Sequence, residues 1–282
     1  MLSIREMTPD DIPFALRLAN QEHWGIPSRD FKRILRLNPE GSFVAIEGTR
    51  RVGVATTMRY GRQAAWIGNV VVSKRYRGMH IGQRLVEEAI THLRAKLVKH
   101  IALYAFENNL PFYRKLGFVD SAAFLQLHGQ TRSIRDERQP LRGESLTLNE
   151  VFSLDRNAFG ADRRELLDDI ISSGDAWLQA RKIGRSAAYI LVKKYEGMYE
   201  IGPWVSLGLG SNDLDSFLVD AMGQLHDRRV EISCPLTHNA ALKLLMRKGF
   251  RPINKGRVMF YEHVARIGNP KSVLALGFLD KG

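Results

Sequence analysis

Residues 70–83 carry the densest chemistry of the chain. Val70, Val71 and Val72 form a β-branched run, and a basic turn follows, Ser73-Lys74-Arg75-Tyr76-Arg77-Gly78-Met79-His80. Leu85, Val86, Ala89, Ile90, Leu93 and Leu97 then recur at helical spacing. A strand, a glycine turn and a helix N-terminus make an anion cradle. The first amides of a helix have no partner within it, and the dipole is positive there. Arg75 and Arg77 add charge to the turn. Such a site suits a pyrophosphate.

Two common pyrophosphate binders are excluded. No GxxxxGK[ST] loop occurs, and GxGxxG with an acid about 20 residues on is missing too. Arg77-Gly78-Met79-His80-Ile81-Gly82 instead resembles motif A of the GCN5-related N-acetyltransferases (GNAT), Arg/Gln-x-x-Gly-x-Gly/Ala. His80 replaces the first motif glycine, so the turn must hold a side chain there. Leu110-Pro111-Phe112-Tyr113-Arg114-Lys115-Leu116-Gly117-Phe118 is similar to the family's closing signature, a helix ending in Tyr-x-x-x-Gly-Phe. Gly117 fits a helix C-cap, where positive φ is cheap.

The resemblance implies an enzyme that moves an acyl group, usually acetyl, from coenzyme A to an amine. Val70, Val71 and Val72 would lie on the splayed fourth strand and pair with the pantetheine arm. The backbone N–H of Val72 would face the thioester oxygen and stabilise the oxyanion. Arg77, Gly78, Met79, His80, Ile81, Gly82 and Gln83 would hold the pyrophosphate of acetyl-CoA. Tyr113 would protonate the departing thiolate; a phenol of pKa about 10 lies near a thiol of about 8.5. The family often has an asparagine seven residues before that tyrosine. Here Phe106 takes the place, with Asn108 and Asn109 out of phase.

An alkyl amine of pKa about 10.4 is neutral about once in 2,500 molecules at pH 7, so something must take its proton. Glu22, His23 and Glu107 are the candidates, with Glu22 placed first. Trp24 and Asn69 are expected to bind the acceptor, and Tyr60 and Trp66 read equally as pocket or core. No metal-ligand spacing occurs, and the eight histidines are scattered.

These residues need a scaffold to position them. The 282 residues suffice for two domains, and 44% hydrophobic content allows sizeable cores. No apolar run is long enough to span a bilayer, and the N-terminus lacks a signal-peptide core. Cys234 is the one cysteine, which fits a reducing compartment and a cytoplasmic location. The net charge of +12 is uneven. Residues 1–135 hold 21 basic and 11 acidic side chains, a balance of +10; residues 136–282 hold 21 and 19, a balance of +2. The half with the cradle therefore steers anions. Nucleic acid would be steered as well, but no recognition motif supports that partner.

In the first half, Leu2 to Met7 reads as a strand. Thr8-Pro9-Asp10-Asp11 reads as a helix start, with a second helix beginning at Ser28. Strands are expected at 43–47, 52–60, 65–72, 100–106 and 118–127. Residues 131–144 read as a linker, and Thr147-Leu148-Asn149-Glu150 as a capping box. The second half repeats the pattern, since Lys248-Gly249-Phe250 aligns with Leu116-Gly117-Phe118. Leu245 stands where the first copy has Tyr113, and the turn at 208–215 carries Asp213 and Asp215 without a nearby base. Two carboxylates would repel a pyrophosphate, so the second copy is expected to hold no cofactor.

That half also resembles the C-terminal domain of the YitH-like GNAT group, on Phe159-Gly160-Ala161-Asp162-Arg163, Ile201-Gly202-Pro203, Asn239 with Ala240, and Arg257 with Met259. The expected fold is α/β (α+β): two tandem GNAT-like domains, each a mixed, mostly antiparallel splayed sheet flanked by helices. The divisions are a catalytic domain at 1–130, a linker at 131–144 and a degenerate domain at 145–282. The acceptor is a small-molecule amine or a protein amine, and a homodimer is a possible assembly. The competing reading is a non-catalytic acyl-CoA-binding or regulatory protein.

Overall fold

The computed structural model describes residues 1–131, 141–195, 197–223, 225 and 228–282. Most of the expected linker, 132–140, lies outside the described residues. The first half runs β1 (Leu2–Glu6), α1 (Ile12–Gln21), α2 (Ser28–Leu37), β2 (Ser42–Glu47), β3 (Arg50–Tyr60) and β4 (Ala64–Val72). It continues through α3 (Ile81–Ala95), β5 (His100–Phe106), α4 (Leu110–Lys115) and β6 (Phe118–Gln130). The second half opens on β7 (Glu144–Ser145), α5 (Leu148–Phe159) and α6 (Arg164–Ser172). Then come β8 (Ala176–Ile183), β9 (Ser186–Tyr195), β10 (Met198–Leu207), α7 (Ser211–Met222) and β11 (Arg229–Pro235). The chain closes on α8 (Asn239–Arg247), β12 (Arg251–Tyr261) and β13 (Val273–Ala275).

Local chemistry explains the helix starts. Thr8 precedes Pro9, and the Asp11 carboxylate accepts the Thr8 amide at 2.8 Å, which satisfies one donor at the helix entrance. Thr147 and Glu150 close a capping box on α5, as the sequence suggests. In α3 the apolar stripe Ile81, Leu85, Val86, Ala89, Ile90 and Leu93 is buried against the sheet. Each of the larger side chains contributes about 1.5–3 kcal/mol by leaving water. That packing fixes the cradle, because the turn is tethered to the N-terminus of this helix.

Among the described residues the strands form a single 13-stranded sheet in the order β1-β2-β3-β4-β5-β12-β6-β11-β10-β9-β8-β7, with β13 attached to β10. The described pairings are antiparallel except β4 with β5 and β10 with β11. The centre of the sheet holds an exchange. β12 lies between β5 and β6, pairing Met259 with Leu103 on one side and with Asp120 on the other. β6 lies in turn between β12 and β11, with Leu127 opposite Ile232. Each half thus lends a strand to the neighbour of its twin. The two expected sheets join into one, a feature that no local periodicity encodes.

Candidate active site

Strands β4 and β5 pair only at their first residues, Ala64 with His100, Ala65 with Ile101 and Trp66 with Ala102. Beyond them the strands part and leave an open wedge. The cause lies in β4. Its register against β3 shifts between Val54 and Thr56, and Asn69 adopts φ 51°, a conformation most non-glycine residues avoid. The bulge re-aims the rest of β4. Ser73 donates its amide to Val52 at 2.8 Å, across the β3 edge. In an antiparallel ladder, bonded and non-bonded positions alternate, so Val72 turns its amide and carbonyl to the wedge edge. Val70 shares that phase. Val71 points its side chain into the core formed by α1 and its neighbours, at 5% exposure.

The turn after β4 holds two left-handed residues, Gly78 at φ 80° and His80 at φ 57°. His80 is the N-cap of α3, and the first helical bond runs from the Arg84 amide to its carbonyl at 3.1 Å. The amides of Ile81, Gly82 and Gln83 therefore have no partner within the helix. They point out of the same end as the dipole's positive pole. His80 Nδ1 lies 3.2 Å from Gln83 Oε1, and Gln83 Nε2 donates to Glu87 at 2.8 Å. Met79 is exposed at the tip of the turn. Arg77 spans the site: its Nε donates to the Val72 carbonyl at 3.1 Å, and its Nη2 meets Glu22 Oε1 at 2.5 Å.

Tyr113 stands on α4, facing the same core as Val70, Val72 and Tyr76. Its ring meets Phe112 at 4.9 Å and Phe118 at 5.9 Å, both edge-on. Burial pushes its hydroxyl up to about 12. The phenol is thus protonated throughout the physiological range. Phe106, in place of the family's asparagine, packs with Phe124 at 6.1 Å. Asn108 and Asn109 lie in an exposed turn before α4.

The structure separates the acceptor-side candidates. Trp24 is exposed on the loop between α1 and α2, beside His23 at φ 57°. Asn69 is buried, donating to Thr56 Oγ1 at 2.9 Å and to Asp280 Oδ2 at 3.1 Å. Tyr60 and Trp66 resolve to core, at 5% and 2% exposure, stacked around Phe159. Glu107 is paired with Lys255 at 2.8 Å. No group of His, Cys, Asp and Glu among the described residues has metal-binding spacing. No described helix is long and apolar enough to cross a membrane. Sequence reasoning missed residues 276–282, which run from β13 to the β4 bulge. Their only signal, an Asp and a Lys near a terminus, points nowhere by itself.

The second half builds the same wedge and closes it. β10 pairs with β11 over Met198–Ile201 and then parts from it. β13 enters that gap, pairing Ala275 with Trp204, while the Leu276 amide bonds the Ser233 carbonyl at 2.8 Å. The chain itself fills the space that stays open between β4 and β5. The turn before α7 carries Asp213 in the helix's first turn, and Asp215 pairs with Lys248 at 2.9 Å.

Residues 6–118 match the model of the acetyltransferase (GNAT) family, and residues 151–271 match that of a second acetyltransferase (GNAT) domain. The chain is 25% identical over 262 residues to the uncharacterized N-acetyltransferase YitH of Bacillus subtilis, covering 90% of this chain and 89% of that one. A chloroplastic serotonin N-acetyltransferase 2 of Oryza sativa is 31% identical over 101 residues, 34% of this chain and 50% of that protein. Among solved structures, a putative acetyltransferase from Pyrococcus horikoshii superposes with a TM-score of 0.79 at 22% identity, covering 100% of this chain and 96% of that one. With one family matched in both halves and a relative aligned nearly end to end, the chain belongs to the GNAT acetyltransferase family, in the tandem, YitH-like arrangement.

Proposed function

We propose that the N-terminal half transfers an acetyl group from acetyl-CoA to a primary amine by direct attack, within the acyl-transfer chemistry of its family. The observation that carries this reading is the open wedge between β4 and β5, set beside unpartnered amides and two arginines, while its twin in the C-terminal half is filled by β13. The residues present fit the co-substrate. Val70 and the Val72 amide offer a strand edge to the pantetheine arm, the Val72 carbonyl being held by Arg77. Gly78, Met79, His80, Ile81, Gly82 and Gln83 offer backbone donors for the pyrophosphate, with Arg75 and Arg77 supplying charge.

Acetyl-CoA supplies the activated thioester. The Val72 amide donates to the thioester oxygen as negative charge develops there. The amine nitrogen forms the new C–N bond, the C–S bond breaks, and Tyr113 donates its hydroxyl hydrogen to the departing sulfur. Glu22 takes the amine proton. Without a pyrophosphate Glu22 is held by Arg77, so a pyrophosphate that claims Arg77 releases the carboxylate for this duty. Asn69 and Trp24 border the acceptor, a small-molecule amine or a protein amine, and the reaction takes place in the cytoplasm.

The test is calorimetry with CoA followed by a screen of polyamines, amino acids and peptide N-termini with acetyl-CoA, reading thiol release. Micromolar CoA binding with amine-dependent release is the expected result. Failure of CoA to bind overturns the reading. Binding without turnover of any amine would assign the chain to the non-catalytic acyl-CoA binders.

A further inference from the structure

Residues 276–282 leave β13 and cross from the C-terminal half to the N-terminal half. They are held at every step. Lys193 donates to the Gly277 carbonyl at 2.6 Å and lies 4.0 Å from the centre of the buried Phe278 ring. The Tyr60 hydroxyl donates to the Lys281 carbonyl at 2.5 Å, and Arg163 Nη1 donates to the Gly282 carbonyl at 2.5 Å. The main chain lies flat on β4. A Cβ at Gly68 would stand 2.2 Å from the Asp280 carbonyl oxygen, so only glycine admits the segment. This places the Asp280 side chain at the bulge, beside Asn69 and three residues before Val72.

We infer that the Asp280 carboxylate anchors the ammonium group of the acceptor, so that the C-terminal half completes the acceptor site of the N-terminal half. This rests on the acetyl-transfer reading above. Three carboxylates border the wedge. Glu22 is committed to Arg77, and Glu107 to Lys255. Asp280 is held by Asn69 at 3.1 Å and by Lys281 at 2.7 and 2.8 Å. A carboxylate offers about four acceptor positions, so one stays open after these three bonds. Asp280 is 19% exposed, while Lys281 beside it is 3% exposed.

Lys281 pairs with Asp280 and lies 3.7 Å from Asp30, which has Arg33 as a partner of its own, so an incoming ammonium takes the acceptor position that Lys281 and Asn69 leave open. Asn69 is itself fixed by Thr56, which gives the carboxylate a defined position. A charge-assisted bond to an ammonium is about twice as strong as a neutral one. The site therefore favours acceptors that arrive protonated. Anchoring and proton removal are separate duties, the second resting with Glu22.

The experiment is steady-state kinetics of the full chain with acetyl-CoA against putrescine, lysine and a peptide N-terminus, for the parent, Asp280→Asn and Asp280→Glu. Asp280→Asn is expected to raise the amine KM at least tenfold, with the KM for acetyl-CoA within twofold of the parent. Asp280→Glu is expected to recover part of that loss. Gly68→Ala, which displaces the segment without touching a charge, is expected to show the same amine-selective defect. An unchanged amine KM in Asp280→Asn overturns the anchor and leaves the transfer reading intact. Parallel rises in both KM values, or a lowered Tm with unchanged kinetics, overturn it as well. A parent that binds CoA yet turns over none of the amines removes the transfer reading, and the anchor with it.

Discussion

Arg77 and Glu22 form a 2.5 Å ion pair that ties the basic turn after β4 to the loop between α1 and α2. The pair joins the side of the wedge suited to an anion to the side suited to an amine. Both partners touch water, so the attraction itself contributes only about 0.2–1 kcal/mol. Its consequence is competition. Glu22→Gln frees Arg77 and should tighten CoA by up to about fivefold in calorimetry. The same variant should lower turnover about 10²-fold, because the proton acceptor is gone. Weaker CoA binding in Glu22→Gln would show that the pair supports the cradle rather than competing for it.

Tyr113→Phe removes one hydroxyl from a half-buried ring and leaves its aromatic contacts with Phe112 and Phe118. Turnover should fall about 10²- to 10³-fold, the range of a positioned acid. CoA affinity and Tm should stay near the parent values. Thiol release in single turnovers reads the first, and calorimetry the second. Unchanged turnover would remove Tyr113 from the chemistry.

His80 occupies φ 57°, ψ 12° at the start of α3, where a side chain crowds the backbone. Left-handed geometry costs a non-glycine residue roughly 1–2 kcal/mol. His80→Gly relieves this but loosens the unfolded chain, and the net gain should be about 0.5–1 kcal/mol. That corresponds to a rise of about 1–4 °C in Tm for a protein of this size. CoA affinity should be retained, because the cradle donates through backbone amides.

Asp11 is fully buried beneath β1 and β3. Burial alone would push its carboxyl up. Arg5 at 2.7 and 3.0 Å, the Thr8 amide and Arg51 at 2.5 Å outweigh that and hold it well below the usual range. The native carboxyl is thus the stronger acid, and the unfolded chain takes up the proton first. The stabilisation is whole above the unfolded value of about 3.9 and drains as pH falls below it. Denaturant midpoints between pH 2.5 and 7 should show this loss, and Asp11→Asn should flatten it. At pH 7 the substitution should cost about 1–3 kcal/mol.

The sequence made the cradle and the Tyr113 helix readable because both are local. Val70 to Gln83 specify strand, turn and helix within one stretch, and Gly117 marks the end of α4. The contacts of the candidate acceptor-side residues are not local. Glu22 finds Arg77 across 55 positions, and Asn69 finds Asp280 across 211. Tyr60 and Trp66 were ambiguous because an aromatic residue on a strand fits a pocket or a core equally well. Only packing against Phe159, from the other half, decides for the core. The left-handed Asn69 was invisible because its cause is a register shift with β3. Asp213 and Asp215 speak only to the repulsion of a pyrophosphate; the filling of the second gap by β13, a three-residue strand with no pattern of its own, was not legible.

The central interleaving of β6 and β12 makes the two halves hostages to each other. A protein cut at the junction would leave β5 with a bare hydrogen-bonding rim on one fragment and β11 with another. Such rims recruit foreign strands, so each fragment expressed alone should aggregate. Mixed together during refolding, the fragments should rescue one another. Duplication followed by this trade would explain how a half without an open wedge of its own could still be indispensable, since discarding it would unravel the half that has one.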